Sequence, residues 1–145
     1  MSLPVPKPGL VIRYSYLWWD EHKAGQEEGR KDRPCAVILT LQNQDGHDYV
    51  AVAPITHTPP RTAEDGLELP ASVKAHLGLD GERSWIILTE VNRFLWPGPD
   101  LRALPGTEPP AFTYGFLPPR LFSVIRDRIV QRVRSRLLLG VKRTD

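Results

Sequence analysis

Cysteine is almost absent from this sequence. Cys35 is the single cysteine among 145 residues, so neither an intramolecular disulfide nor a cysteine-based zinc cluster can form within the chain. The histidines are equally uninformative as ligands, because His22, His47, His57 and His76 are scattered and lack the short spacings typical of metal sites. We therefore expect no metal and no cofactor.

Long apolar runs are also missing. No stretch approaches the roughly 20 apolar residues that a membrane-spanning helix needs, so we expect no membrane association. Residues 1–8 contain several prolines and no apolar run, which is unlike a signal peptide. We therefore expect a cytoplasmic protein with a single domain over residues 1–145, because a chain of this length can bury one core.

Proline, by contrast, is abundant. The chain has 15 prolines, which disfavour long uninterrupted helices because each one removes a backbone donor and fixes its own φ. Short strands joined by stiff loops accommodate such a count. The sequence contains neither a glycine-rich phosphate loop nor a Gly-x-Ser-x-Gly elbow, so these two catalytic classes are not indicated.

The net charge of +2 is unevenly distributed. Residues 118–145 carry eight Lys/Arg against two Asp/Glu, whereas residues 1–80 carry eight against eleven. A basic C-terminal region suits an anionic partner, either nucleic acid or an acidic protein segment. A solvated helix face would give the same pattern, so the charge alone does not choose between them.

Apolar runs separated by turn residues predict the strands. Residues 10–17 are rich in β-branched and aromatic side chains, and residues 35–41 form the continuous apolar run of a buried strand. Asp45-Gly46 is a turn signal, which predicts a β-hairpin over residues 35–55. Shorter strands are expected at 67–69, 84–88 and 89–94, and loops at 20–32, 56–66 and 96–110.

Two helices are predicted. Residues 70–77 begin with proline and precede a glycine, which fits two helical turns. Pro118 and Pro119 open a helix of about five turns, and Gly140 can terminate it. The apolar side chains of this helix recur at spacings of three and four, at Phe122, Ile125, Ile129, Val133 and Leu137. The expected fold class is mainly β with α, a small barrel or curled antiparallel sheet with a helix packed on it.

Polar residues at one end of the hairpin are the candidates for chemistry. Arg33 precedes the buried strand and Thr56 follows its partner, so both are expected at the same open end, where Glu28 can fold over them. Metal-free RNA cleavage needs a base for the 2′-hydroxyl, a cation for the phosphate and a hydrogen-bond donor. Glu28, Arg33 and Thr56 could fill these roles in turn. His57 is a further proton-transfer candidate, because imidazole titrates near neutral pH.

Each of these residues also has a purely structural interpretation. An arginine at the start of a strand commonly pairs with a nearby carboxylate, such as that of Glu27, Glu28 or Asp32, and a threonine at the end of a strand commonly closes a turn. The adjacent Trp18 and Trp19 could stack on unpaired bases, or at least one of them could pack in a core or a dimer interface.

Taken together, these residues resemble the PemK/MazF toxin family. The resemblance rests on the order of Pro8-Gly9, a charged loop ending in Arg33-Pro34, the segment Pro54-Ile55-Thr56, and Val91 followed by Trp96. It extends over roughly residues 6–138. It implies an SH3-like barrel with a long C-terminal helix that forms a homodimer.

The resemblance also implies a function. Members are toxins of type II toxin-antitoxin systems that cleave single-stranded RNA sequence-selectively and without a metal, leaving a cyclic phosphate and a 5′-hydroxyl. A cognate antitoxin with an acidic tail would occupy the RNA groove. DNA would be bound indirectly, through an antitoxin complex.

Family roles carry over to three positions and leave others open. Arg33 matches the catalytic arginine, Thr56 the phosphate-binding threonine and Glu28 a loop glutamate used by many members. The chain departs from the family pattern at Thr89-Glu90, where members commonly carry Asp-Gln, and at His57, where Ser or Thr is usual. The general base therefore stays open between Glu28, Glu90 and His57.

Two further residues are candidates for RNA contact, and two functions other than RNA cleavage are considered. Trp19 and Arg93 are additional candidates for RNA contacts. Loss of the usual Asp-Gln pair favours a non-catalytic barrel that binds RNA or an acidic partner peptide. Related toxins that poison gyrase give a third hypothesis, against which the Arg-Pro and Pro-x-Thr segments speak.

Overall fold

The computed structural model describes residues 3–26, 29, 31–42 and 45–143. This part of the chain is mainly antiparallel β-sheet, as the sequence predicts, and it has three helices, one more than the two predicted. In chain order the elements are β1 (Leu10–Tyr14), α1 (Trp19–Lys23), β2 (Arg33–Gln42), β3 (Asp48–Thr56), β4 (Gly66–Glu68), α2 (Ala71–His76), β5 (Trp85–Ile87), β6 (Glu90–Leu95), β7 (Thr113–Phe116), α3 (Pro119–Arg134) and β8 (Leu139–Lys142).

The predicted hairpin, β2 with β3, lies at the centre of the sheet. The edge of β2 that faces away from β3 pairs with β1, which in turn pairs with β7. The other edge of β3 is shared, because its first half pairs with β6 and its last residues pair with β5. β4 adds to β5, and β8 lies parallel to β6, the one parallel pair among the described strands.

Side chains alternate across β2, and both of its faces are buried over residues 35–38. Cys35 and Val37 belong to one hydrophobic cluster, whereas Ala36 and Ile38 belong to another. A strand segment that is covered on both sides has no solvent-facing positions to mark with polar residues. This explains the apolar residues 35–38, whereas Leu39 and Leu41 farther along the strand are exposed.

The two hydrophobic clusters are enclosed differently. Helices α2 and α3 cover one face of the sheet with side chains that include Val73, Ile125 and Ile129. The opposite face lies inside the curl formed by β1, β2, β3 and β6, where the rings of Tyr14 and Phe94 stack with their centroids 4.6 Å apart.

The C-terminal helix is predicted correctly at its start and wrongly at its end. α3 begins at Pro119, but it ends at Arg134 and does not reach Leu137 or Gly140. Arg136 takes a positive φ of 58°, and the amides of residues 136 and 137 return to carbonyls of the last turn. This is the left-handed ending that usually carries glycine. The chain then enters β8, which contains Gly140.

Three short elements are not predicted by the sequence: α1, β7 and β8. α1 occupies the start of residues 20–32, which the sequence predicts as a loop, and begins one residue earlier at Trp19. The amide of Trp18 donates to the Glu21 carboxylate over 3.0 Å and caps the start of the helix. None of the described helices has both the length and the apolar character needed to cross a membrane.

The first strand is shorter than predicted. β1 ends at Tyr14, because the next residues bond outside the ladder instead of continuing to residue 17. The amide of Ser15 donates to the carbonyl of Asp100 over 2.9 Å, and the amide of Leu17 donates to Asn92 Oδ1 over 2.9 Å. The segment that leads to Trp18 and Trp19 is therefore fixed by side-chain and loop contacts.

Candidate functional site

Arg33 and Thr56 lie together at the open end of the β2–β3 hairpin, where the sequence places them. Cys35 pairs with Pro54, so the antiparallel register sets residue 33 opposite residue 56. Both side chains line two neighbouring clefts.

We name these the histidine cleft and the tryptophan cleft. The histidine cleft has a volume of about 540 Å³, and its lining includes Arg13, Lys31, Arg33, Thr56, His57, Asp80 and Tyr114. The tryptophan cleft has a volume of about 580 Å³, and its lining includes Trp18, Trp19, Lys31, Arg33, Thr56, Pro59, Pro60, Arg61 and Glu90. The shared members are two cations and a hydroxyl, which is the donor set that a phosphate group requires.

Arg33 is partly buried and short of partners. Desolvation lowers the pKa of its guanidinium, an effect that Cys35 and Glu21 oppose. The guanidinium lies 4.9 Å from the centre of the Trp18 ring, and its Nε is buried without a hydrogen-bond partner among the residues that the structure describes. The neighbouring Asp32 faces Arg13 at 3.8 Å and Arg102 at 3.6 Å instead.

Thr56 fills the structural one of its two expected roles, and its phosphate contact stays a prediction. It is the last residue of β3 and is buried, and its Oγ1 accepts the amide of Thr58 over 3.2 Å. That contact closes the turn after the strand. It uses Oγ1 as an acceptor, so the hydroxyl proton remains available for donation toward the clefts.

Glu90 opens β6 and is held by two donors. Its Oε1 accepts the hydroxyl of Tyr16 over 3.0 Å and the amide of Trp19 over 2.9 Å. Burial raises the pKa of Glu90, and these two hydrogen bonds lower it in part. A carboxylate whose pKa is raised is a stronger base than one with an ordinary pKa.

His57 lies on the other side of Thr56, in an ion-pair cluster that the sequence does not reveal. Its Nε2 is 2.8 Å from Asp80 Oδ2 and its Nδ1 is 3.5 Å from Glu82 Oε2. The buried Lys74 places its Nζ 2.9 Å from Asp80 Oδ1 and also donates to the carbonyl of Glu82. The hydrogen bond from Lys74 lowers the pKa of Asp80, with a smaller contribution from His57.

This cluster is also the one group in the described part of the chain that could offer three metal ligands. His57, Asp80 and Glu82 bring their ligand atoms within 4.8 Å of one another, and all three residues are exposed. However, the Lys74 ammonium already pairs with Asp80, and a second cation on the same carboxylate would be repelled. The donor set therefore fits an ion-pair network better than a metal site.

The remaining sequence candidates divide. Trp19 lines the tryptophan cleft. Glu28 lies outside the described residues. Arg93 is exposed on β6 beside Gly140 of β8 and lines neither cleft, so the structure does not bring it to Arg33 and its RNA contact stays a prediction.

A buried polar network supports the tryptophan cleft from below. Arg143 donates to the carbonyl of Ser15 over 2.6 Å and to Asn92 Oδ1 over 3.0 Å, and it pairs with Asp100 at 3.0 Å. Asn92 in turn bonds both the amide and the carbonyl of Leu17. The network therefore fixes the backbone directly before Trp18. The sequence gives no sign of it, because an arginine after a helix reads as a surface cation.

Two arginines of α3 form contacts with another segment of the same chain. Arg132 pairs with Asp65 at 2.7 Å, and Arg128 donates to the carbonyl of Ala63 over 3.3 Å. These contacts hold the loop that follows Pro59 and Pro60, one wall of the tryptophan cleft. Part of the basic character of the C-terminal region thus stabilises the cleft and is not free for an anionic partner.

No family model matches the chain, and no curated protein matches it either.

Proposed function

We propose that this chain is a metal-independent endoribonuclease of the PemK/MazF toxin type, acting on single-stranded RNA. One observation carries the proposal: Arg33 is partly buried, forms no ion pair within the described residues and shares two clefts with Thr56. A buried donor without a partner is costly. A bound phosphate would remove that cost.

The chemistry of Arg33 fits a phosphodiester. A guanidinium offers two parallel N–H groups that match two oxygens of a phosphate, and it stays charged even when burial lowers its pKa. The Trp18 ring beneath the guanidinium restricts its orientation. Preorganised donors of this kind stabilise the charge that develops on the phosphorane.

Glu90 is our candidate for the general base. It lines the tryptophan cleft with Arg33, and Tyr16 and Trp19 hold Oε1, while no described residue bonds Oε2. In the proposed step Glu90 takes the proton of the ribose 2′-hydroxyl, and the 2′-oxygen attacks the adjacent phosphorus held by Arg33 and Thr56. The products are a 2′,3′-cyclic phosphate and a 5′-hydroxyl.

The tryptophan cleft favours an unpaired strand as substrate. Its aromatic and proline walls, from Trp18, Trp19, Pro59 and Pro60, offer flat apolar surfaces beside the cations Lys31 and Arg61. Bases stack on such surfaces only when they are free of a duplex, while the cations follow the backbone. This combination suits single-stranded RNA.

The resemblance supplies the wider biological proposal. The curled sheet with its C-terminal helix is consistent with an SH3-like barrel, and the toxin would act as a cytoplasmic homodimer. A cognate antitoxin would silence it by placing an acidic tail over Lys31, Arg33 and Arg61. DNA would be met through that antitoxin complex.

The test is cleavage of a long single-stranded RNA in EDTA. We expect discrete fragments with cyclic-phosphate ends from the unaltered chain. Arg33→Ala should lower the rate by about 10²–10³-fold, the usual effect of losing a transition-state donor. Glu90→Gln keeps acceptors for Tyr16 and Trp19 but cannot take a proton, so it should also cleave slowly. Arg126→Ala, an exposed arginine of α3 that pairs with Asp127, is the matched control and should cleave normally.

Two outcomes would overturn the proposal. Equal cleavage by the Arg33→Ala and Arg126→Ala variants would remove Arg33 from the reaction. RNA that is retained by the unaltered chain but stays intact would favour the non-catalytic barrel, and the departure at Thr89-Glu90 from the Asp-Gln pair of the toxin family would then be the reason.

A further inference from the structure

We propose that His57 is the general acid of this reaction, protonating the 5′-oxygen as it leaves, and that Asp80 and Lys74 are positioning residues for its ring. The inference rests on the proposed ribonuclease function and deepens it. It assigns a role to an ion-pair cluster that the sequence does not reveal.

The two clefts separate His57 from the candidate base Glu90. Arg33 and Thr56 line both clefts, whereas Glu90 lines the tryptophan cleft and His57 lines the histidine cleft. In a displacement at phosphorus the attacking and leaving oxygens lie roughly in line, on opposite sides of the phosphorus atom. A phosphate held at Arg33 would therefore present its 2′-oxygen to one cleft and its 5′-oxygen to the other.

Asp80 orients the imidazole ring of His57. Asp80 Oδ2 lies 2.8 Å from Nε2, which must donate to that carboxylate. Nδ1 is 3.5 Å from Glu82 Oε2, a longer contact to a side chain that is largely exposed. The protonated ring has a donor for each carboxylate, whereas the neutral ring has only one. A substrate oxygen can replace Glu82 at Nδ1 while Asp80 keeps the ring in place.

Lys74 in turn holds the carboxylate of Asp80. Lys74 is only 5% exposed, and its Nζ reaches both Asp80 Oδ1 and the carbonyl of Glu82. A buried ammonium holds its partners firmly because it has no water to exchange them for. The charged groups around the imidazole are thus Asp80, Glu82 and Lys74, with Lys31 and Arg33 in the lining of the same cleft.

The proposed step is balanced. A bond forms between the 2′-oxygen and phosphorus while the bond between phosphorus and the 5′-oxygen breaks. The 2′-hydroxyl proton passes to Glu90, and the Nδ1 proton of His57 passes to the departing 5′-oxygen. Exchange of one proton with water then restores each residue.

The experiment uses an RNA oligonucleotide around a cleavage site mapped with the unaltered chain, synthesised with oxygen or with sulfur at the 5′-bridging position. A thiolate leaves without protonation, so the sulfur substrate does not need a general acid. On the oxygen substrate His57→Ala should lower the rate by about 10²–10⁴-fold. On the sulfur substrate the same variant should approach the rate of the unaltered chain.

Comparison variants make the result specific. Arg33→Ala should be slow on both substrates, because the phosphate still needs its clamp. Asp80→Asn should lose less than His57→Ala on the oxygen substrate and should also recover with sulfur, which a role limited to folding would not produce. His57→Gln, with unfolding monitored by circular dichroism, provides a second variant of this exposed residue.

Each remaining outcome decides against the proposal. Normal cleavage by His57→Ala, or a loss that sulfur does not restore, would overturn the acid role while leaving the ribonuclease standing on the Arg33→Ala result. Recovery of Glu90→Gln by sulfur would reverse the assignment of acid and base. No cleavage by the unaltered chain would overturn both proposals together.

Discussion

Two arginines of this protein have buried nitrogen atoms but differ in the partners of those atoms. Arg143 is 4% exposed and is fully engaged, with Asp100, Asn92 and the carbonyl of Ser15 as partners. Arg33 has its Nε buried without a described partner and forms no ion pair among the described residues. Both lie over an aromatic ring, at 5.5 Å from Tyr14 for Arg143 and at 4.9 Å from Trp18 for Arg33.

The difference separates a structural charge from one kept for a ligand. A buried cation whose partners are all protein groups stabilises the fold, and removing it leaves those partners unsatisfied. A buried donor without a partner costs stability, so the position of the Arg33 Nε beside a cleft needs another explanation. We therefore expect Arg143 to support the fold around the tryptophan cleft and Arg33 to be available to a ligand.

The largest expected effect comes from Arg143→Ala. Asp100 would stay buried without its ion-pair partner at 3.0 Å, and Asn92 and the carbonyl of Ser15 would each lose a hydrogen bond, so the free energy of unfolding should fall by about 3–5 kcal/mol. Urea denaturation followed by circular dichroism measures this. The exposed Arg126→Ala serves as control and should change the value by less than about 0.5 kcal/mol. A loss for Arg143→Ala as small as the control would break the comparison.

Arg33→Ala should have a smaller effect on stability. It removes a buried unsatisfied Nε along with the stacking on Trp18, so we expect a change below about 1 kcal/mol in the free energy of unfolding. The same variant should lose cleavage, as stated above. A destabilisation as large as that of Arg143→Ala would mean that Arg33 supports the fold, and its catalytic assignment would lose its basis.

The smallest effect concerns Glu90, which lies in the tryptophan cleft with Arg33. Burial raises the pKa of Glu90 above its ordinary value of 4.5, so ionisation costs the folded state free energy once the pH exceeds the unfolded value. Glu90→Gln should therefore be more stable than the unaltered chain at neutral pH. The two stability curves should converge as the pH falls below the unfolded pKa. Parallel curves from pH 3 to pH 8 would contradict the raised pKa.

The sequence predicts those parts of the fold whose signals are local. The hairpin follows from the apolar run over residues 35–41 and from Asp45-Gly46, and the start of α3 follows from Pro118 and Pro119. The end of α3 does not follow, because the left-handed residue is Arg136 and not a glycine. β8 is hidden for the same reason, since Leu137 continues the helical spacing and Gly140 is interpreted as the end of the helix.

In the candidate site too, the sequence predicts local contacts and misses those set by tertiary packing. Arg33 and Thr56 meet because they flank one hairpin, which the sequence reveals. His57 meets Asp80 across 23 residues, and its support from Lys74 depends on how α2 packs. No spacing rule indicates such a contact, because it is set by tertiary packing. Arg93, a further candidate for RNA contact, lines neither cleft.

The bond between Arg143 and Ser15 spans 128 residues of sequence. A ribosome delivers the N-terminal residue of such a pair long before the C-terminal one. Asn92 and Asp100 also emerge before the arginine that joins them, so the network beside the segment bearing Trp18 and Trp19 is incomplete in the nascent chain. A chain assembled in this order would lack the network until the ribosome has translated the codon for Arg143.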